Sequence, residues 1–243
     1  MWRAGLRIVA LALWTLVCLI PHLIARAFGK SRWPRRFLAG AARICGVDTR
    51  VKGTLASRQA LLAVNHLSWL DIPVLAAATG CVFISKAELA GQPVMRWLAD
   101  QNRTLYIERS DKRALHRQAE AIRSALSGDQ PVALFPESTV GGGERLLPFR
   151  AALFSAAIPP PPGSVIQPVA IEYGAATRDL AWARGEHGVA NAMRVLGRKG
   201  RMTATVHLLE PLDPALDRKA TARAAHDAIA AALAPSGIAP ADL

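Results

Sequence analysis

In AVNHLSWLDIP (residues 63–73) a histidine, His66, precedes an aspartate, Asp71, by five positions. An imidazole held at one nitrogen by a carboxylate makes a general base. The carboxylate fixes the tautomer and stabilises the imidazolium formed when the other nitrogen takes a proton. Chance competes with this reading, because six His and 18 acidic residues in 243 positions make the spacing common. SWLD also fits a capping box, with Ser68 as the cap and Asp71 merely satisfying backbone donors. Both readings stand on this stretch alone. VALFPESTVGGGERLLPFR sets Glu137, Ser138 and Thr139 ahead of a Gly-rich loop holding Arg145 and Arg150. That arrangement can organise an anion pocket, or be an ordinary polar loop with a flexible connector. In TLYIERS, Arg109 can hold a phosphate bidentately or pair with Glu108 or Asp111 at the surface.

The elements that must position these groups are legible as short apolar runs. TRVKG (49–53), ALLAV (60–64), CVFIS (81–85), RTLYI (103–107), PVALF (131–135), VIQPVAIEY (165–173) and MTATVHLLE (202–210) read as strands. Ser110 to Gly128 reads as an amphipathic helix capped by Ser110, 148–158 as another, and 218–234 as an Ala-rich terminal helix. Pro73 cannot sit deep in a helix, so regular helix is expected to begin near Asp71, with 66–71 as its irregular lead-in. Strands alternating with helices predict an α/β fold: a central, mostly parallel mixed sheet covered on both faces. His66, Arg109 and Glu137 then all fall just past strand C-termini, the edge where open α/β sheets bind ligands.

Lys and Arg outnumber Asp and Glu by 30 to 18, which implies an anionic partner. Aromatic residues make up 6% of a chain that is 51% hydrophobic, with no basic–aromatic interleaving. An anionic membrane surface is therefore expected rather than nucleic acid. Cys18, Cys45 and Cys81 are scattered, with no metal or redox spacing, and a reduced, cytosolic setting fits them. No P-loop or dinucleotide fingerprint is present, so neither metal nor cofactor is expected.

From Ile8 to Ala25 the chain is apolar over a length at the lower edge of a bilayer span, with Pro21 and His22 near its end. A shallow or re-entrant anchor fits as well as a span, and "ARA" at 25–27 offers the rival reading of a cleaved signal peptide. Arg26, Lys30, Arg32, Arg35 and Arg36 follow the apolar run, against Arg3 and Arg7 before it. The more basic flank stays cytoplasmic. The expected organisation is a membrane-anchoring helical region at 1–45 and an α/β domain at 46–243, on the cytoplasmic face of the inner membrane.

Four stretches in order resemble the lysophospholipid acyltransferase family. NHxSxxD is matched by Asn65, His66, Ser68 and Asp71. An aromatic-Ile-acid-Arg strand end is matched by Tyr106, Ile107, Glu108 and Arg109. Phe-Pro-Glu-Gly-Thr appears as Phe135, Pro136, Glu137, Ser138 and Thr139, and the proline-bearing strand as VIQPVAI with Pro168. Ser138 departs from the usual glycine, and Val140 stands where many members carry an arginine that helps hold the acceptor's phosphate.

The resemblance implies transfer of a fatty acyl chain from acyl-coenzyme A or acyl carrier protein to a lysolipid hydroxyl. It names 1-acyl-sn-glycerol-3-phosphate first as acceptor and lyso-ornithine lipid as the alternative. His66 would be the base, oriented by Asp71. Asn65, Ser68, Arg109, Glu137, Ser138 and Thr139 would line the substrate, with Lys86 and Arg150 as further cationic candidates. A serine hydrolase would need a nucleophile elbow, and G-x-S-x-G is absent. A purely basic binding module would leave the strand-end groups idle.

Overall fold

The computed structural model describes residues 2–29, 31–87, 91, 93–107, 114–182 and 185–240. Two helices open the chain, α1 (Trp2–Ala27) and α2 (Trp33–Ile44). There follow β1 (Val47–Lys52), β2 (Ala60–Val64), α3 (Asp71–Thr79), β3 (Val82–Lys86), α4 (Pro93–Gln101), β4 (Leu105–Ile107), α5 (Ala114–Leu126) and β5 (Val132–Leu134). The remainder runs β6 (Arg145–Leu146), a 3₁₀ turn (Ala151–Ala157), β7 (Val165–Glu172), α6 (Thr177–Leu180), α7 (Gly188–Gly197), β8 (Met202–Leu208), α8 (Arg218–Leu233) and β9 (Ala239–Pro240).

Seven strands form one sheet in the order β1-β8-β7-β2-β5-β3-β4, parallel throughout except for the antiparallel pair β7–β8. β2 lies at its centre, and all five of its residues are buried. Its side chains alternate between two apolar layers. Ala60, Leu62 and Val64 face the layer completed by α2, α3 and α7, while Leu61 and Ala63 face the layer of α5, the 3₁₀ turn and α8. A strand buried on both faces reads as an uninterrupted apolar run, which is why ALLAV is so plain in the sequence.

The stretch expected as a helix at 148–158 is a 3₁₀ turn at Ala151–Ala157 instead. Four prolines from Pro159 to Pro162 follow it; they donate no backbone hydrogen bond, so the segment closes in the tighter form used for short pieces. α5 ends at Leu126, with the Gly128 N–H donating to the Ala125 carbonyl. The cap expected at Ser110 lies outside the described residues.

α1 and α2 pack against each other and onto the body. Trp14 of α1 donates its indole N–H to the Phe37 carbonyl at 3.0 Å, and its ring covers Gly40. Arg7 donates to the Leu196 and Gly200 carbonyls at the end of α7. His22 shares hydrogen bonds with Ser31 and with Gln101 of α4. The other face of α1 exposes Leu6, Val9, Leu13, Leu16, Val17, Ile20, Leu23 and Ile24, an apolar stripe at helical spacing.

Candidate active site

Three strands that are neighbours in the sheet, β5, β2 and β7, end at one edge and carry the site between them. Just past β2, Asn65 continues the ladder with its side chain. Its amide donates to the Ile171 carbonyl at 3.0 Å and accepts from the Ile171 N–H at 2.7 Å. Those two bonds fix where His66 leaves the sheet. Asp71 is the first residue of α3, with Pro73 inside the first turn, where its missing N–H costs nothing.

The carboxylate of Asp71 is completely buried. Its Oδ2 accepts from His66 Nδ1 at 2.8 Å, from the Leu67 N–H at 2.7 Å and from the Ser68 N–H at 2.9 Å. One oxygen thus satisfies backbone donors and holds the imidazole, but Ser68 is not the cap expected of it: α3 is capped at Leu70 with no side-chain bond, because the Asp71 N–H donates to the Ser68 backbone carbonyl rather than to its hydroxyl. The His66 ring also stacks on Phe135, with centroids 4.2 Å apart. With Nδ1 donating to Asp71, Nε2 is the nitrogen free to accept a proton, and no described group bonds it.

Glu137, past β5, grips the same residue from behind. Its Oε1 accepts from the His66 N–H at 2.6 Å and its Oε2 from the Leu147 N–H at 3.0 Å. The Gly141 N–H in turn donates to the His66 carbonyl at 2.8 Å. Burial pushes the Glu137 carboxyl up to about 8, against the two backbone donors that favour its charge. Ser138 sits in the left-handed region at φ +66°, a conformation that suits the glycine it replaces better than it suits serine.

Beside His66 opens a cavity of about 690 Å³, walled by α1, α2, α4 and the ends of β3 and β5. Thr15, Leu19, Phe37, Leu38, Trp97 and Leu98 line it, and His66, Phe135, Ser138, Thr139 and Val140 stand in the same wall. No Lys, Arg, Asp or Glu side chain lines it among the described residues. Its size is that of a small-molecule site, and its lining suits a hydrocarbon chain. An imidazole with an open nitrogen, a buried carboxylate behind it and an apolar chamber beside it can deprotonate a hydroxyl carried by a lipid.

The residues expected at the substrate separate into two groups. His66, Ser138 and Thr139 border the cavity. Asn65, Ser68 and Glu137 do not: all three are buried, with Asn65 and Glu137 bonded to backbone and the Ser68 hydroxyl beside the Leu70 N–H at 3.4 Å. Asn65 and Glu137 thereby hold the loop that carries His66, their bonds being made to backbone inside the protein. Arg150 is exposed, and its backbone N–H donates to the Pro136 carbonyl. Arg109 and the Lys86 side chain lie outside the described residues. Sequence reasoning passed over Tyr173, whose hydroxyl donates to Asp71 Oδ1 at 2.8 Å. Its one signal was its place at the end of the proline-bearing strand.

Comparison with known proteins gives a consistent result. A family model described as Acyltransferase matches residues 27–172. A lyso-ornithine lipid O-acyltransferase of Rhizobium meliloti is 34% identical over 197 residues, 75% of this chain and 68% of that protein. A 1-acyl-sn-glycerol-3-phosphate acyltransferase of Neisseria gonorrhoeae is 37% identical over 113 residues, 46% of this chain and 44% of that protein. Among solved structures, the 1-acyl-sn-glycerophosphate (LPA) acyltransferase PlsC of Thermotoga maritima has the same fold. Its TM-score is 0.65 at 18% identity, over 96% of this chain and 97% of that one.

Proposed function

Because the chain belongs to the Acyltransferase family, we propose that it moves a fatty acyl group from a thioester to the free hydroxyl of a lysolipid, with an ornithine-type acceptor first and 1-acyl-sn-glycerol-3-phosphate second. The observation that carries the chemistry is the 2.8 Å bond from His66 Nδ1 to Asp71 beside an apolar cavity. His66 Nε2 takes the acceptor's hydroxyl proton as that oxygen attacks the thioester carbonyl carbon. The tetrahedral intermediate collapses, the carbon–sulfur bond breaks, and the leaving thiolate takes the proton back from the imidazolium. Asp71 holds the tautomer and stabilises the charged ring throughout. The nucleophile is the acceptor's own hydroxyl, so no acyl-enzyme forms.

The order of acceptors follows from two observations. The lyso-ornithine relative is matched over three quarters of this chain, the phosphate-acceptor relative over less than half. Val140 borders the cavity, an apolar side chain where the family resemblance implies an arginine for phosphate. The donor is a thioester of coenzyme A or of acyl carrier protein, both acidic and both suited to a chain of net charge +12.

The apolar N-terminal helix points to membrane association. Thr15, Cys18 and Leu19 of α1 wall the cavity, which supports a retained helix over a cleaved one. The basic residues after it, Arg26 to Arg36, suit the anionic headgroups of a cytoplasmic leaflet and support a body on the cytoplasmic face of the inner membrane. Purified protein in mixed micelles, offered both donors and equal amounts of the two lysolipids, tests the whole reading. Acylation of lyso-ornithine lipid ahead of lysophosphatidate is expected, and failure on both would overturn it. His66→Ala should reduce turnover by about 10³-fold or more while leaving the protein folded and membrane-associated; substantial residual activity would remove His66 from the mechanism.

A further inference from the structure

Asp71 accepts four hydrogen bonds, two of them from side chains, and one of those side chains belongs to none of the site residues expected from the sequence. Oδ2 carries three: His66 Nδ1 and the backbone N–H groups of Leu67 and Ser68. Oδ1 is met by the Tyr173 hydroxyl at 2.8 Å, from a residue 102 positions away and one past the end of β7. Three donors on a single oxygen leave the carboxylate plane free to swing about that oxygen. A donor on the second oxygen stops it.

We propose that Tyr173 is a positioning residue for acyl transfer: its hydroxyl fixes the plane of the Asp71 carboxylate and shares its charge, and through Asp71 sets the orientation and basicity of His66. This rests on the reading of His66 as the base. The phenol is itself immobile. Its ring is buried in the layer that holds Leu70, Val74 and Ile171, and its carbonyl accepts from the Ala176 N–H at 3.1 Å. Two residues earlier, the paired bonds between Ile171 and Asn65 align the end of β7 with the end of β2, so Tyr173 and the 65–71 loop are set from the same two strands. Burial and the neighbouring Asp71 charge raise the phenol well above its ordinary value, so it stays a donor across the working pH range. The other ionisable group close by, Glu137, holds the His66 backbone and leaves Oδ1 to Tyr173.

Tyr173→Phe keeps the ring and removes one oxygen. In the full-length enzyme with its preferred donor and acceptor, kcat is expected to fall roughly tenfold, with KM for both substrates within about twofold of wild type. The acid limb of kcat/KM should move to higher pH by about half a unit, because an Asp71 charge no longer shared with a phenol stabilises imidazolium more strongly. That position does not depend on how much enzyme is folded, so partial loss of protein leaves the test intact. In an Asp71→Asn background the same substitution should change the residual rate by less than about twofold. An unmoved limb, or an equal loss in both backgrounds, would overturn the proposal. A wild-type enzyme inactive on both lysolipids would instead sink the proposed function, whatever Tyr173 does.

Discussion

Asp71 and Glu137 are both buried acids within one residue's reach of the same histidine, and their surroundings treat them differently. Asp71 has four donors, one of them an imidazole that can become positive. Glu137 has two neutral backbone donors, and burial raises it from 4.5 to about 8. Stability should follow the latter. The unfolded chain releases the Glu137 proton near 4.5, while the folded chain keeps it to about 8. The contribution is therefore complete below the lower value and is lost as pH rises through the upper one. Melting temperatures at pH 5 and pH 8 should show wild type losing stability across that interval, and Glu137→Gln losing less. Equal losses would place the titration elsewhere. Little of this was legible beforehand. Glu137 was visible as an acid past a strand, but its partners are the backbone of residues 66 and 147, and only folding brings those to it. Tyr173 was hidden for the same reason, its partner lying 102 residues back.

The central strands β2, β5 and β7 were the most legible elements, because burial on both faces leaves a continuous apolar run. β2 occupies the expected 60–64, and α3 begins at Asp71 as Pro73 required. Their pairing was not legible: nothing local to MTATVHLLE says that it lies antiparallel to β7 and parallel to β1. Nor was the contact between α1 and α2, which turns on one atom's worth of space. A Cβ on Gly40 would fall 2.2–2.6 Å from the Trp14 indole. Helix propensity alone predicts that Gly40→Ala stabilises by about 1 kcal/mol. Overpacking against a large ring costs about 1–3 kcal/mol. The steric term should win, lowering the melting temperature and, since both helices wall the cavity, the rate of acyl transfer. Adding Trp14→Ala should then cost less than it does alone. A rise in melting temperature for Gly40→Ala would show that the indole gives way freely.

At the scale of the whole molecule the question is how α1 meets a bilayer. Between Arg7, bonded to the end of α7, and Arg26, bonded to Gln101 of α4, the helix rises about 28 Å. That is close to the thickness of a hydrocarbon core, about 30 Å. A helix tied to one body along that whole length is not expected to cross to the opposite side as well; α1 is expected instead to lie in the surface with its apolar stripe down. Single cysteines placed at Arg3 and at Lys199, in a chain whose own cysteines are replaced by alanine, should react with an impermeant maleimide from the same side of sealed vesicles. Labelling of residue 3 from the other side would show that α1 crosses.

The cavity described above shares its wall with α1, so a bilayer met by the exposed stripe of that helix would lie one helix away from the proposed reaction chamber. For such an enzyme the meaning of substrate concentration changes. Once bound, it searches a two-dimensional film, and what it meets is the mole fraction of lysolipid in that film rather than the amount per unit volume. Diluting the acceptor with inert lipid at constant bulk concentration therefore slows it, and the membrane's composition becomes a rate-setting variable in its own right.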